Sequence, residues 1–425
     1  MAELIKQATL LMVSSQSVDG GTVGEGEVGD VLIENGRIAA IAPSITAAIT
    51  DLPPNTDVIE AQGQFLGPGL IDLYSQSGEP GHEPRETRDS LRKAALAGGF
   101  TQVGLLPNSD VVTDSVEAIA AIQKGNTPGK PQLLPWSALT LGTRGEQLSE
   151  LAELSEAGAI GFTDGLPVAN KALLRRLLEY AGPLQKPIML WPCDRQIAGT
   201  GTAREGADAL RLGLIGVSAI AETSPLATLI EYVAEISTPV HIMRISTARS
   251  VELLRQAKAQ GLPMTASVAW HHLLFDTTDL EPYHPSLRHD PPIGTPADKA
   301  ALIAGVVDGV IDAIAIDHSP YTYEEKTVAF DSAPPGAIGL ELALPLLWDT
   351  FVRSPVCSQS ALAPTQLWRL LTQGPAACWA MSAPKIEVGA VAELTLFDAQ
   401  KSWRVIADNL ESLAFNTPWS DQTIQ

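Results

Sequence analysis

The chain has 425 residues, 45% of them apolar, and a formal net charge of −21. That length exceeds one small domain and suits a barrel of roughly 250 residues with a smaller companion. The acidic balance argues against nucleic acid and anionic membranes as partners, and no run of about 18 apolar residues predicts a membrane span.

The start, MAELIKQATLLMVSSQ, carries no signal-peptide pattern. Residues 4–13, 28–33 and 37–42 read as short strands, with Glu34-Asn35-Gly36 as a hairpin turn between the last two. Residues 65–74 form a nearly continuous apolar run, as a strand of a buried parallel sheet should. A helix-like run begins near Glu83.

Further strands are expected at 102–106, 132–136, 159–163, 187–191, 240–245, 264–269 and 313–316. Amphipathic runs such as 170–180 and 248–260 lie between them. Eight strands alternating with helices predict an α/β chain with a (β/α)8 barrel. Residues 389–398 and 403–405 return to strand patterns. Both ends of the chain therefore predict a small β-sandwich domain, from 1–60 and 381–425, around a barrel at 61–380. Cys193, Cys357 and Cys378 are too few and scattered for a disulfide framework or a Cys-rich zinc site. They suit a reducing, cytoplasmic compartment.

In a barrel of this kind the chemistry sits at the C-terminal ends of the strands. The first such end reads Pro68-Gly69-Leu70-Ile71-Asp72-Leu73-Tyr74-Ser75-Gln76-Ser77-Gly78-Glu79-Pro80-Gly81. It resembles the dihydroorotases and related cyclic amidohydrolases of the amidohydrolase superfamily. Their strand reads Pro-Gly-x-Ile-Asp-x-His-x-His-x-Arg-Glu-Pro-Gly. The frame is present, but Tyr74 and Gln76 stand at two metal-ligand positions and Gly78 at that of a substrate-binding arginine.

The resemblance continues along the chain. Gly161-Phe162-Thr163-Asp164-Gly165 is similar to Phe-Ser/Thr-Asp-Asp-Gly. Asp164 is thus either a residual ligand or a turn residue. Trp191 and Arg244 occupy the other two ligand-histidine positions. An indole cannot ligate zinc, and a guanidinium repels a dication. His241 lies at the start of its strand and reads as structural. His271 and His272 match a His-His pair expected to pack or to sit behind the ligands. Asp290 replaces a substrate-contacting asparagine. Ile316-Asp317-His318-Ser319-Pro320-Tyr321 is similar to Thr-Asp-His-Ala-Pro-His, which puts Asp317 at the general-base position and Tyr321 at a substrate histidine. Asn416-Thr417-Pro418-Trp419 resembles a C-terminal Asn-Thr-Pro motif.

Metal-dependent hydrolysis needs a metal to lower the pKa of water from about 15.7 toward about 7. Two carboxylates, Asp164 and Asp317, do not make a zinc site of the usual kind. The resemblance therefore implies a noncatalytic dihydroorotase-like chain that pairs with aspartate transcarbamoylase in pyrimidine biosynthesis. No cofactor is then expected, and a homo-oligomer stays open. The alternative is an active dihydroorotase or another hydrolase of a cyclic amide, with zinc or with a rebuilt site around Asp317, His318 or a Cys193 thiolate near Arg244. A lumen filled by Trp191 and Tyr74 would count against it.

Overall fold

The computed structural model describes residues 2–12, 17–18, 21–22, 24–45, 52–53, 55–355 and 360–425. Cys357 lies outside them. The first sheet is built from both chain ends. Its strands are β1 (Ala2–Leu10), β2 (Val28–Glu34), β3 (Arg37–Ala42), β4 (Thr56–Glu60), β5 (Phe65–Pro68) and, from the far end of the chain, Leu394–Phe397. β5 pairs antiparallel with that last strand in the register Leu394↔Pro68 to Phe397↔Phe65. The β2–β3 hairpin turns as expected, with Asn35 and Gly36 at φ of 51° and 73°.

Eight parallel strands form the barrel. They are β6 (Leu70–Ser75), β7 (Phe100–Leu105), β8 (Gln132–Ser137), β9 (Gly161–Phe162), β10 (Ile188–Leu190), β11 (Val240–Ile242), β12 (Met264–Ala269) and β13 (Ala313–Ala315). Just beyond the strand ends the chain closes the ring, with Asp317 N donating to Tyr74 O at 3.1 Å and Gln76 N to His318 O at 2.8 Å. Together with the β-sandwich of the termini, this is the expected (β/α)8 architecture.

Two local expectations change. The run 65–74 is not one strand. It divides at Gly69, β5 joining the terminal sheet and β6 the barrel. The helix expected from Glu83 begins at Arg88, because the Thr87 side chain accepts Ser90 N and Ser90 reciprocates. The helices Lys171–Ala181 and Ala248–Ala259 lie where the amphipathic runs predict, capped by Asn170 and Thr247.

The main core lies between barrel and helices. A second cluster fills the lumen. Ile71, Leu73, Tyr74, Trp136, Met189 and Met243 belong to it, each at most 1% exposed. Trp136 satisfies its buried indole N–H on Leu73 O at 2.9 Å. Among the described residues no helix is long and apolar enough to cross a membrane.

Candidate functional site

Four residues from four strand ends meet at the top of the lumen. Arg244 follows β11 and Asp317 follows β13. Arg244 Nε and Nη2 donate to Asp317 Oδ2 and Oδ1 at 2.8 and 2.7 Å, a parallel two-bond fork. Arg244 Nη1 reaches Gly165 O at 3.3 Å. Its backbone N donates to the Tyr74 hydroxyl at 3.2 Å. The guanidinium carbon lies 4.7 Å from the Trp191 ring centre and 5.7 Å from that of Tyr74, within cation–π range. Burial works against the guanidinium charge, but Asp317 outweighs it and raises the pKa of Arg244 on balance.

Beneath the pair, the Tyr74 hydroxyl is 3.4 Å from Ser267 Oγ, and Ser267 Oγ is 2.8 Å from His241 Nε2. His241 Nδ1 lies 2.9 Å from Thr265 Oγ1. Both imidazole nitrogens are thus taken by hydroxyls, and burial pushes its pKa down to about 3. The expected structural role for His241 fits these bonds.

The remaining predicted positions lie outside this cluster. Asp164 is 2% exposed, and its oxygens accept Thr140 N at 2.9 Å and Thr140 Oγ1 at 2.6 Å. It braces one strand-end loop against another instead of standing free for a metal, and burial pushes it up to about 6. Asp290 accepts Arg195 Nη1 at 2.6 Å. Tyr321 lies with its ring 5.0 Å from the Arg85 guanidinium and 5.2 Å from Lys326 Nζ. Gln76 enters through its backbone only. At Gly78 an added Cβ would lie 2.2 Å from His82 O and 2.8 Å from Glu86 N. No side chain fits there. Cys193 is half-buried, and burial pushes its thiol up to about 11. It is protonated at neutral pH, contrary to the activated thiolate entertained from sequence.

His318 is an acceptor at Nδ1 for Gly339 N at 3.1 Å and therefore carries its proton at Nε2, 3.3 Å from Glu86 Oε2. Glu86 is fully buried and also takes the Ser90 hydroxyl and, at 2.5 Å, the Ser412 hydroxyl. Burial raises its pKa, but His318 and these hydroxyls together bring it below the usual carboxylate range. His271 packs among Trp270, His289 and Trp419, with ring centres 4.2 to 6.2 Å apart.

The Dihydro-orotase-like family profile matches residues 63–250. A Synechocystis sequence described as "Probable dihydroorotase-like protein" is 41% identical over 404 residues, covering 88% of this chain and 89% of that one. A protein of Pelotomaculum thermopropionicum named dihydroorotase is 37% identical over 414 residues, covering 96% and 94%. This chain belongs to the dihydroorotase-like family. Its fold matches the L-hydantoinase of Arthrobacter aurescens with a TM-score of 0.80 at 20% identity, covering 99% of this chain and 92% of that one. The D-hydantoinase of Thermus sp. gives 0.78 at 19%, with the same coverage.

Within the family frame, the residues here do not fit a zinc ion. The four expected imidazole positions present a phenol, an amide, an indole and a guanidinium. Neither indole nor guanidinium has a lone pair to give. Both Asp317 oxygens already accept from Arg244. Among the described residues no group of three or more His, Cys, Asp or Glu is arranged to hold a metal. Sequence reasoning missed Glu86, Arg204, Glu222 and Arg288. Glu86 meets His318 and Ser412, Glu222 meets Ser246 and Thr247, and Arg204 meets Ser246, all far along the chain, so no local pattern marks these three.

Proposed function

We propose that this chain is a cytoplasmic dihydroorotase-like protein of pyrimidine biosynthesis that lacks dihydroorotase chemistry and serves as a structural or regulatory subunit with aspartate transcarbamoylase. The observation that carries this reading is the Arg244–Asp317 fork. The carboxylate at the general-base position is held by a fixed cation, in a lumen closed by Tyr74 and Trp191. A base needs a free lone pair within reach of the proton it takes, and both oxygens of this one are engaged by the Arg244 guanidinium.

The reading is tested on protein purified without chelators from zinc- and manganese-supplemented medium. Elemental analysis is expected to find far less than one equivalent of metal, and the protein to show no dihydroorotate turnover. It is expected to comigrate with aspartate transcarbamoylase on gel filtration and to change that enzyme's assembly. A full equivalent of metal with turnover, or no effect on the transferase, overturns it.

A second reading, a working hydrolase with zinc or a rebuilt site, is favoured by the relatives named dihydroorotase. The same turnover assay separates the two.

A further inference from the structure

Trp191, the ring beside Arg244, is also part of the wall of a cavity of about 80 Å³. Trp191, Cys193, Arg204, Glu222, Arg288 and Asp290 are among its walls. Its volume exceeds that of two waters at about 30 Å³ each. None of the Arg244–Asp317–Tyr74 cluster lines it.

The charges around it are uneven. Arg195, Arg204 and Arg288 face two carboxylates, Asp290 and Glu222. Asp290 pairs with Arg195 at 2.6 Å. Glu222 is occupied by neutral donors, namely Ser246 N at 3.1 Å, the Ser246 hydroxyl, Thr247 N at 3.2 Å and Thr247 Oγ1 at 3.0 Å. Arg204 and Arg288 are left without an ion-pair partner among the described residues.

Arg204 is 3% exposed. It donates to Ser246 Oγ at 2.6 Å and Val217 O at 3.4 Å, and its Nε is buried with no partner. Arg288 donates to His289 O at 2.7 Å, and its Nε is likewise buried and unpartnered. A buried guanidinium lacking an ion pair is costly, which is the case of Arg204, and beside it the partly buried Arg288 has only the charge of Asp290, itself paired with Arg195, in its favour. A purely bracing role for Arg204, on Ser246, would not account for Arg288.

We infer that this cavity binds a small oxyanion, a carboxylate or a phosphate, between Arg204 and Arg288. Guanidinium N–H groups suit either anion, since the fork matches two oxygens of each. Ala198, Val217, Pro291 and Pro292 supply apolar wall for whatever carries the charge. The inference rests on neither the loss of hydrolysis nor a transferase partner.

Titration calorimetry of the full chain tests it, with sodium phosphate and sodium acetate run separately at constant ionic strength. Saturable one-to-one binding of at least one anion is expected. Phosphate alone would mark a tetrahedral ligand and acetate alone a carboxylate, and either supports the site. R288Q should weaken binding by at least about tenfold, the effect of a lost charge-assisted hydrogen bond. A198L, which fills the cavity from a neighbouring wall and leaves both guanidiniums intact, should abolish it. The R204Q variant is read only if it keeps the native circular dichroism spectrum. No saturable binding of either anion, or binding unchanged in both R288Q and A198L, overturns the inference.

Discussion

Arg244 and Asp317, both in left-handed backbone at φ of 57° and 51°, are joined by two parallel hydrogen bonds of 2.8 and 2.7 Å. Each backbone costs of order 1–3 kcal/mol for a non-glycine residue. The pair sits where the family resemblance puts a ligand histidine and a catalytic aspartate, so one fixed cation stands close to the expected metal position.

Breaking the pair from one side should be expensive. R244M leaves the Asp317 carboxylate nearly buried and unpaired, and D317N strands the guanidinium. Each is expected to lose about 3–5 kcal/mol in urea unfolding. The R244M/D317N double variant should lose clearly less than the sum. Additive losses would show that the fork contributes no coupling.

Trp191 should act through both packing and its ring. W191A removes a large, 5% exposed side chain beside Arg244 and Arg195, whose guanidiniums lie 4.7 and 4.5 Å from the ring centre. A cost of about 3–5 kcal/mol is expected. W191F keeps an aromatic face and should cost less than half of that. Equal losses in W191F and W191A would assign the effect to indole size alone.

Rebuilding the family's substrate arginine should fail. G78R must place a Cβ where His82 O and Glu86 N already stand, 2.2 and 2.8 Å away. Both are backbone atoms, so the segment 78–86 must move. A loss of at least about 1–3 kcal/mol is expected, read as a lower thermal midpoint. An unchanged midpoint would mean that the loop opens freely.

The barrel was legible because eight apolar runs at barrel spacing leave few other solutions. The resemblance was carried by scaffold residues, and the structure gives their physical reason. A Cβ at Gly67 would lie 2.3 Å from Trp368, and one at Gly69 equally close to Thr101. Asp72 accepts Ile316 N at 2.8 Å and the Ser75 hydroxyl at 2.5 Å, so it ties β6 to β13. These residues hold the barrel together whether or not a metal is bound. The Arg244–Asp317 pairing was not legible, since the partners are 73 residues apart. From sequence Arg244 signalled repulsion of a metal and a cation beside Cys193, not a partner for Asp317.

Acid should destabilise the protein through buried neutral histidines. Burial pushes His241 and His272 down to about 3, and His271 and His289 well below the ordinary imidazole value. In the unfolded chain they titrate near 6.5. The unfolded state therefore takes up protons first as pH falls. Stability is full above about pH 6.5 and falls toward pH 3, by up to about 1.4 kcal/mol per unit for each histidine. Asp72 and Asp164, pushed up by burial to about 7 and about 6, act in the opposite sense as pH falls toward about 4. Asp312 and Glu341 are raised and His284 lowered by smaller amounts, so the four strongly shifted histidines set a net loss. Urea midpoints should fall steadily from pH 6.5 to 5, and a rising midpoint would refute this balance.

Cys193 should resist alkylation. Its thiol is raised from 9.0 to about 11, which leaves about a hundredfold less thiolate at pH 7.5 than an unshifted thiol. Peptide mapping after iodoacetamide should find it modified far more slowly in native than in urea-unfolded protein. Equal rates would place it in a more open setting.

One residue, Gly69, separates the end of β5 in the terminal sheet from the start of β6 in the barrel. Trp368 donates its indole N–H to Pro68 O at 2.9 Å and fills the space beside Gly67, while Thr101 fills that beside Gly69. The junction has no slack for a hinge. The terminal sheet is joined to the barrel without a linker, on the very strand that carries Tyr74 to its place beneath the Arg244 guanidinium.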